Sequence, residues 1–139
     1  TRFSANVVPE AAIRANMNLG HCWPFKGDKG DIGIQLYPHN KVVANGISLE
    51  HAPRSIAHNI GSAPRDFEVW AYQHPEDGAP KKLFAGVYDI QNGKAVQTFK
   101  WHNVDYVVPI IQVRILSNFG HPIHTCVYRI RVHGIVSDQ

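Results

Sequence analysis

Apolar and polar residues alternate along most of this chain with the period of a β-strand. Ile32, Ile34 and Leu36 alternate with Asp31, Gly33 and Gln35, and Ile47 and Leu49 with Ser48 and Glu50. Phe67, Val69 and Ala71 alternate with Glu68, Trp70 and Tyr72, and Leu83, Ala85 and Val87 repeat the pattern. Val96 and Thr98 interleave with Gln97 and Phe99, and Ile111, Val113 and Ile115 with Gln112 and Arg114. The final run sets Cys126, Tyr128, Ile130 and Val132 on one face, with Thr125, Val127, Arg129 and Arg131 on the other. Successive side chains of a strand point to opposite faces, so each run predicts a strand with one face toward a core.

Turn formers punctuate these runs: Pro38-His39-Asn40, Asn45-Gly46, Asp77-Gly78-Ala79-Pro80, Asn92-Gly93 and Gly120 to Pro122. Asn-Gly predicts a tight hairpin because both residues tolerate positive φ, and Asn92-Gly93, flanked by strand patterns, is the better of the two pairs. Seven or more short strands separated by turns predict an antiparallel sandwich or barrel. Residues 9–15 lack an apolar stripe and read as loop with a turn in it. No repeat or second domain is visible, so residues 20–139 are taken as one sandwich domain behind an N-terminal segment, 1–19.

Bulk properties narrow the function. A chain of 139 residues with 44% hydrophobic and 18% charged residues is a globular domain, not a disordered one. The net charge is only +3 and the basic residues are scattered, with Lys26 and Lys29 answered by Asp28 and Asp31. That argues against a phosphate-tracking, nucleic-acid surface. No apolar run approaches the 18 or more residues that span a bilayer, and no signal-peptide zones appear. The chain starts at Thr1 without a methionine, as expected of a piece cut from something larger; membrane attachment, if any, would lie in the missing part. Two cysteines, Cys22 and Cys126, stand near opposite ends. They read either as two buried free thiols or as one bridge. A bridge closing a loop of about 100 residues would add roughly 4–5 kcal/mol in the chain-entropy model and would indicate an oxidising compartment.

Five segments carry a family resemblance. Gly20-His21-Cys22-Trp23-Pro24-Phe25-Lys26-Gly27 resembles G-x-C-W-x-F-x-G, and Leu49-Glu50-His51-Ala52-Pro53 resembles L-E-H-x-P. Ser62-Ala63-Pro64-Arg65-Asp66-Phe67 is similar to S-A-P-[KR]-D-F. Arg114-Ile115-Leu116-Ser117-Asn118-Phe119-Gly120-His121-Pro122 matches R-I-L-x-N-[WF]-G-H-P. Thr125-Cys126-Val127-Tyr128-Arg129-Ile130-Arg131-Val132-His133-Gly134 matches T-C-x-Y-R-[FI]-R-V-H-G. In order and over residues 20–134, these are the signatures of SUN domains.

The resemblance implies an all-β, compact antiparallel sandwich of galactose-binding-like, jelly-roll type that catalyses nothing. It implies a head in the lumen between the nuclear membranes, part of an inner-membrane protein and trimerised below a coiled coil. That head would bind the extreme C-terminal tail of a KASH protein, coupling nucleus to cytoskeleton. It also implies a Cys22–Cys126 bridge and a pocket for the partner's terminal carboxylate at Ser62 and Tyr128. His124 stands where the family has a second tyrosine. His51 matches a histidine near the peptide groove and the contact between protomers. A monovalent cation, K+, is implied in the loop of residues 11–21, held mostly by backbone carbonyls, with Ala11, Arg14, Asn16 and His21 as its candidates.

A carboxylate needs donors on rigid elements, and hydroxyl and imidazole groups suit it. An imidazole beside a bound carboxylate has a raised pKa. Affinity should then be full below the free-state pKa of His124 and fade as pH rises through the bound-state value. Residues 1–10 are too few for the hairpin lid with which the family's partner strand pairs, although residues 5–8 match a returning end. A lidless core, impaired in binding and monomeric as a fragment, is therefore expected.

Other chemistries fit less well. Nine histidines invite a zinc site, but His121, His124 and His133 lack an acidic partner in the motif. A Cys22–His nucleophile fails if Cys22 is bridged. The better alternative is a glycan-binding sandwich using Trp23, Trp70 and Trp101, with Trp70 expected on the exposed face.

Overall fold

The computed structural model describes residues 23–27, 29–36, 41–51, 60–90, 93–102, 104–121, 124–127 and 129–136. Their strands are β1 (Trp23–Lys26), β2 (Gly30–Gln35), β3 (Val42–Glu50), β4 (Asp66–Tyr72), β5 (Lys81–Val87), β6 (Val96–Lys100), β7 (Ile110–Ile115), β8 (His124–Val127) and β9 (Arg129–Val136). One 3-10 turn, Ile60–Ser62, precedes β4. Every pairing is antiparallel, in sheets ordered β2-β7-β4-β5, β6-β3-β9 and β1-β8. The sandwich is as expected from the alternation.

Register explains why the alternation works. Val113 on β7 lies opposite Ile32 on one side and Val69 on the other, and Ile111 likewise lies between Ile34 and Ala71. All six are buried. In the three-stranded sheet Ile47 faces Val132 and Leu49 faces Ile130. The two inner faces meet through aromatic rings: Phe67 of β4 packs edge-on against Phe99 of β6 at 4.8 Å, and Phe84 of β5 lies 5.7 Å from Phe99. Each large side chain so buried contributes roughly 1.5–3 kcal/mol.

Four expectations are corrected. Asn45-Gly46 is no turn. It lies within β3 at a bulge, where Asn45 is the extra residue between the Ala44–Gly134 and Gly46–His133 pairs. Trp101 occupies the distortion, donating its backbone N–H to the Asn45 carbonyl (3.0 Å) and its indole N–H to that of Ala44 (2.9 Å). Nor does Asn92-Gly93 close a hairpin: β5 pairs with β4 and β6 with β3, so the connection crosses between sheets. Leu83, Ala85 and Val87 do not share an inner face. A bulge that skips Leu83 between the Val69–Phe84 and Trp70–Lys82 pairs inverts the parity. Leu83 and Phe84 both pack inward, while Val87 is 50% exposed. Finally, the last run is two strands. β8 pairs with β1 and β9 with β3, and Thr125 and Val127, assigned to the outer face, are fully buried.

Candidate functional site

The chain leaves β3 at Glu50, and the next residue, His51, is wholly buried. Its backbone N–H donates to the Tyr88 hydroxyl at 3.0 Å and also approaches the Ala95 carbonyl at 3.3 Å. The Tyr88 hydroxyl in turn donates to the Ala95 carbonyl. Burial pushes the Tyr88 pKa up to about 12, with the Glu50 charge adding to the shift and the His51 N–H opposing it. The hydroxyl therefore stays a donor at any physiological pH. With its backbone held this way, His51 presents Nε2 3.2 Å from Ser62 Oγ. Which atom donates depends on the imidazole tautomer. Ser62 is itself buried, at the end of the 3-10 turn.

That turn is tied to the segment between β7 and β8. The Gly61 carbonyl accepts from the N–H groups of Phe119 (3.1 Å) and His121 (3.2 Å). Asn118 is the centre of the segment. Its Nδ2 donates to the His121 carbonyl (2.9 Å) and to Thr125 Oγ1 (3.0 Å), and its Oδ1 accepts from the N–H of Gly120 (2.8 Å). Gly120 has φ +111°, a conformation that suits glycine. Thr125, fully buried on β8, donates its hydroxyl hydrogen bond to the Gly27 carbonyl at 2.8 Å. Buried polar groups need such partners. This chain of bonds therefore locks Gly27, the 3-10 turn, the β7–β8 segment and β8 into one arrangement.

Of the expected site residues, the structure brings His51 and Ser62 together. His124 takes the first position of β8, opposite Lys26. Tyr128 lies outside the described residues, as do Cys22 and the cation-loop positions Ala11, Arg14, Asn16 and His21. Cys126 is buried on β8. Sequence reasoning missed Tyr88, Asn118 and Thr125 as positioning residues. Asn118 and Thr125 sat inside quoted motifs, so their signal was present, whereas Tyr88 had none.

The tryptophan platform expected of a glycan binder does not form at the two described indoles. Trp101 is buried. Trp70 is half-buried, with the Arg114 guanidinium 4.1 Å from its ring centre and its indole N–H donating to Glu68 at 2.9 Å. The zinc candidates are also dispersed. His133 bonds Ser48 at 2.6 Å on the three-stranded sheet, and His121 bonds Gly61.

The motifs that meet around His51, Ser62, Asn118 and Thr125 are those of one family. The family described as Sad1 / UNC-like C-terminal matches residues 3–136. The chain belongs to this family of SUN domains. It is 39% identical over 136 residues to sperm-associated antigen 4 protein of Mus musculus, covering 94% of this chain and 29% of that protein. It is 40% identical over 130 residues to Klaroid protein of Drosophila melanogaster, covering 91% and 13%. Against SUN domain-containing protein 5 of Homo sapiens the identity is 35% over 133 residues, covering 93% and 34%. The SUN chain thus spans about a third or less of these relatives. Its fold resembles a family 32 carbohydrate-binding module from Streptococcus pneumoniae EndoD, with TM-score 0.67 at 14% identity over 93% of this chain and 99% of that one. An F5/8 type C domain from Bacteroides fragilis gives TM-score 0.65 at 15% identity over 90% and 79%. At such identities the likeness is one of fold, and it makes this SUN domain a galactose-binding-like sandwich.

Proposed function

We propose that this SUN domain is a non-catalytic binding head for the C-terminal tail peptide of a KASH protein, acting in the perinuclear lumen to bridge the nuclear envelope. The observation that carries the reading is the buried His51–Ser62 pair at 3.2 Å, packed beside β8. It sets a hydroxyl and an imidazole on rigid backbone at the edge of the strand that opens with His124. Hydrogen-bond donors held in a low-dielectric setting suit a chain-terminal carboxylate. Tyr128, one residue beyond β8, completes the proposed pocket.

The Cys22–Cys126 bridge belongs to the same proposal. Cys126 is registered opposite Pro24, two residues after Cys22 in the sequence, so the strand that carries Cys126 pairs with the strand that follows Cys22. Trimerisation and a K+ ion at residues 11–21 are carried over from family membership and complete the reading.

The test is calorimetric titration with a proline-rich KASH tail, with its C-terminus free or amidated. It should use both this chain and a longer one that carries upstream residues. The free acid is expected to bind at least tenfold more tightly, and Ser62→Ala to remove most of that difference. Equal affinities would overturn the carboxylate pocket. Comparing wild type with His124→Tyr from about pH 5.5 to 8 isolates the imidazole. Affinity of the wild type alone should fall as pH rises, and identical profiles would end that part of the proposal.

A further inference from the structure

The solvent face of the three-stranded sheet is unlike that of its four-stranded partner. Outward positions run in rows across β6, β3 and β9: Val96–Glu50–Arg129, Thr98–Ser48–Arg131 and Lys100–Gly46–His133. Arg129, Arg131 and Lys100 are cationic and Glu50 is the one acid in these rows. It is taken by Arg129, whose Nε lies 3.8 Å from Glu50 Oε1. Arg131 has no such partner among the described residues, and its Nε is buried without a hydrogen bond. That Nε is closed off from solvent, so an acceptor supplied from outside would meet the terminal guanidinium nitrogens, which are not among the buried unsatisfied atoms.

The face is also shaped to gather charge. Gly46 has no side chain between Lys100 and His133. A Cβ there would lie 3.4 Å from Lys100 Cγ and 3.6 Å from His133 Cβ, so both stems close over the gap. His133 is held in place by Ser48 Oγ at 2.6 Å, and Ser48 Oγ also bonds Thr98 Oγ1 at 2.8 Å. At the two ends, Val96 is 48% and Ile135 39% exposed. The patch spans about 13 Å from Arg129 to His133 at strand rise, too short for a strand of nucleic acid to track. Its apolar shoulders suit side chains rather than phosphates.

We propose that this face docks an acidic peptide segment of a partner protein, its carboxylates paired with Arg131 and Lys100 and its apolar residues against Val96 and Ile135. The surface adjoins the His51–Ser62 pair through Glu50, but it faces outward where that pair is buried, and it does not depend on what the pair binds.

The experiment titrates a fluorescent six-residue peptide of alternating glutamate and leucine against the 139-residue chain by polarisation. A glutamine-for-glutamate version of the peptide and a single-stranded oligonucleotide of similar charge are the comparisons. The acidic peptide should bind saturably, the glutamine version at least tenfold more weakly, and the oligonucleotide more weakly than the peptide. Arg131→Gln with Lys100→Gln should cost at least tenfold, whereas Lys29→Gln with Lys94→Gln, which removes the same charge elsewhere, should leave binding unchanged. Amide chemical-shift changes in the unsubstituted chain should concentrate on β3, β6 and β9, which keeps the test decisive if the double variant misfolds. Equal loss in both double variants, shifts centred elsewhere, or preference for the oligonucleotide would each overturn the proposal.

Discussion

Two polar networks in this domain look alike in composition and differ in setting. Around the 3-10 turn, His51, Ser62, Asn118 and Thr125 are buried and bond one another or backbone groups. On the open face of the four-stranded sheet, Trp70, Glu68, Lys82, Tyr72, Gln112 and Arg114 are linked just as densely. Arg114 donates to Gln112 at 2.6 Å and to the Tyr72 hydroxyl at 2.7 Å, and that hydroxyl donates to Gln112 at 3.1 Å. Water can replace any partner lost from the second network and none lost from the first. The buried network therefore specifies an arrangement of segments, while the exposed one mostly shields an aromatic ring.

The largest effect should come from Asn118→Ala. It strands the Gly120 N–H and the His121 carbonyl and leaves Thr125 without its donor, for a loss of about 2–4 kcal/mol measured by urea unfolding. A loss below about 1 kcal/mol would put this network on the level of an exposed one and break the contrast. Next comes Tyr88→Phe, expected to cost about 1–2 kcal/mol and to change the alkaline limb. The folded-state pKa of Tyr88 is raised to about 12 from 10. Its contribution is thus fully present below pH 10 and lost as pH rises through the folded value. Thermal melts between those limits should fall in the wild type and flatten in the variant.

Arg114→Ala on the exposed face should cost no more than about 1 kcal/mol. A double-mutant cycle with Trp70→Leu should give a smaller coupling than a cycle of Asn118→Ala with Thr125→Val. The smallest effect belongs to Glu68. The Trp70 indole N–H lowers its pKa, Lys82 and Arg114 assist, and partial desolvation opposes them. The sign is that of a depressed carboxylate: stability present above the unfolded value of 4.5 is lost as pH falls through the folded one. Glu68→Gln should barely move the acid midpoint, and a large shift would mean the face is less wet than its geometry indicates.

Much of the fold was legible in the chain. The apolar rows through Val113 and Ile111 lie where period-2 reading put them. The failures have local causes. At Leu83 and Asn45 one extra residue inverts the facing of the rest of the strand, and a composition pattern does not mark which residue the ladder skips. Of the site, His51 and Ser62 were named from motifs. Yet a histidine after a strand reads as a surface residue, and its complete burial depends on Tyr88, 37 residues away.

Strand identity and the existence of a sandwich were written in the order of residues, because the alternation of apolar and polar side chains is a property of neighbours along one chain. Sheet membership, the division of the final run between two sheets, and the meeting of His51 with Ser62 were decided by the tertiary structure. They rest on contacts such as Thr125 with Gly27, 98 residues apart. A strand's period says which side faces inward but carries no label for the partner that will cover it.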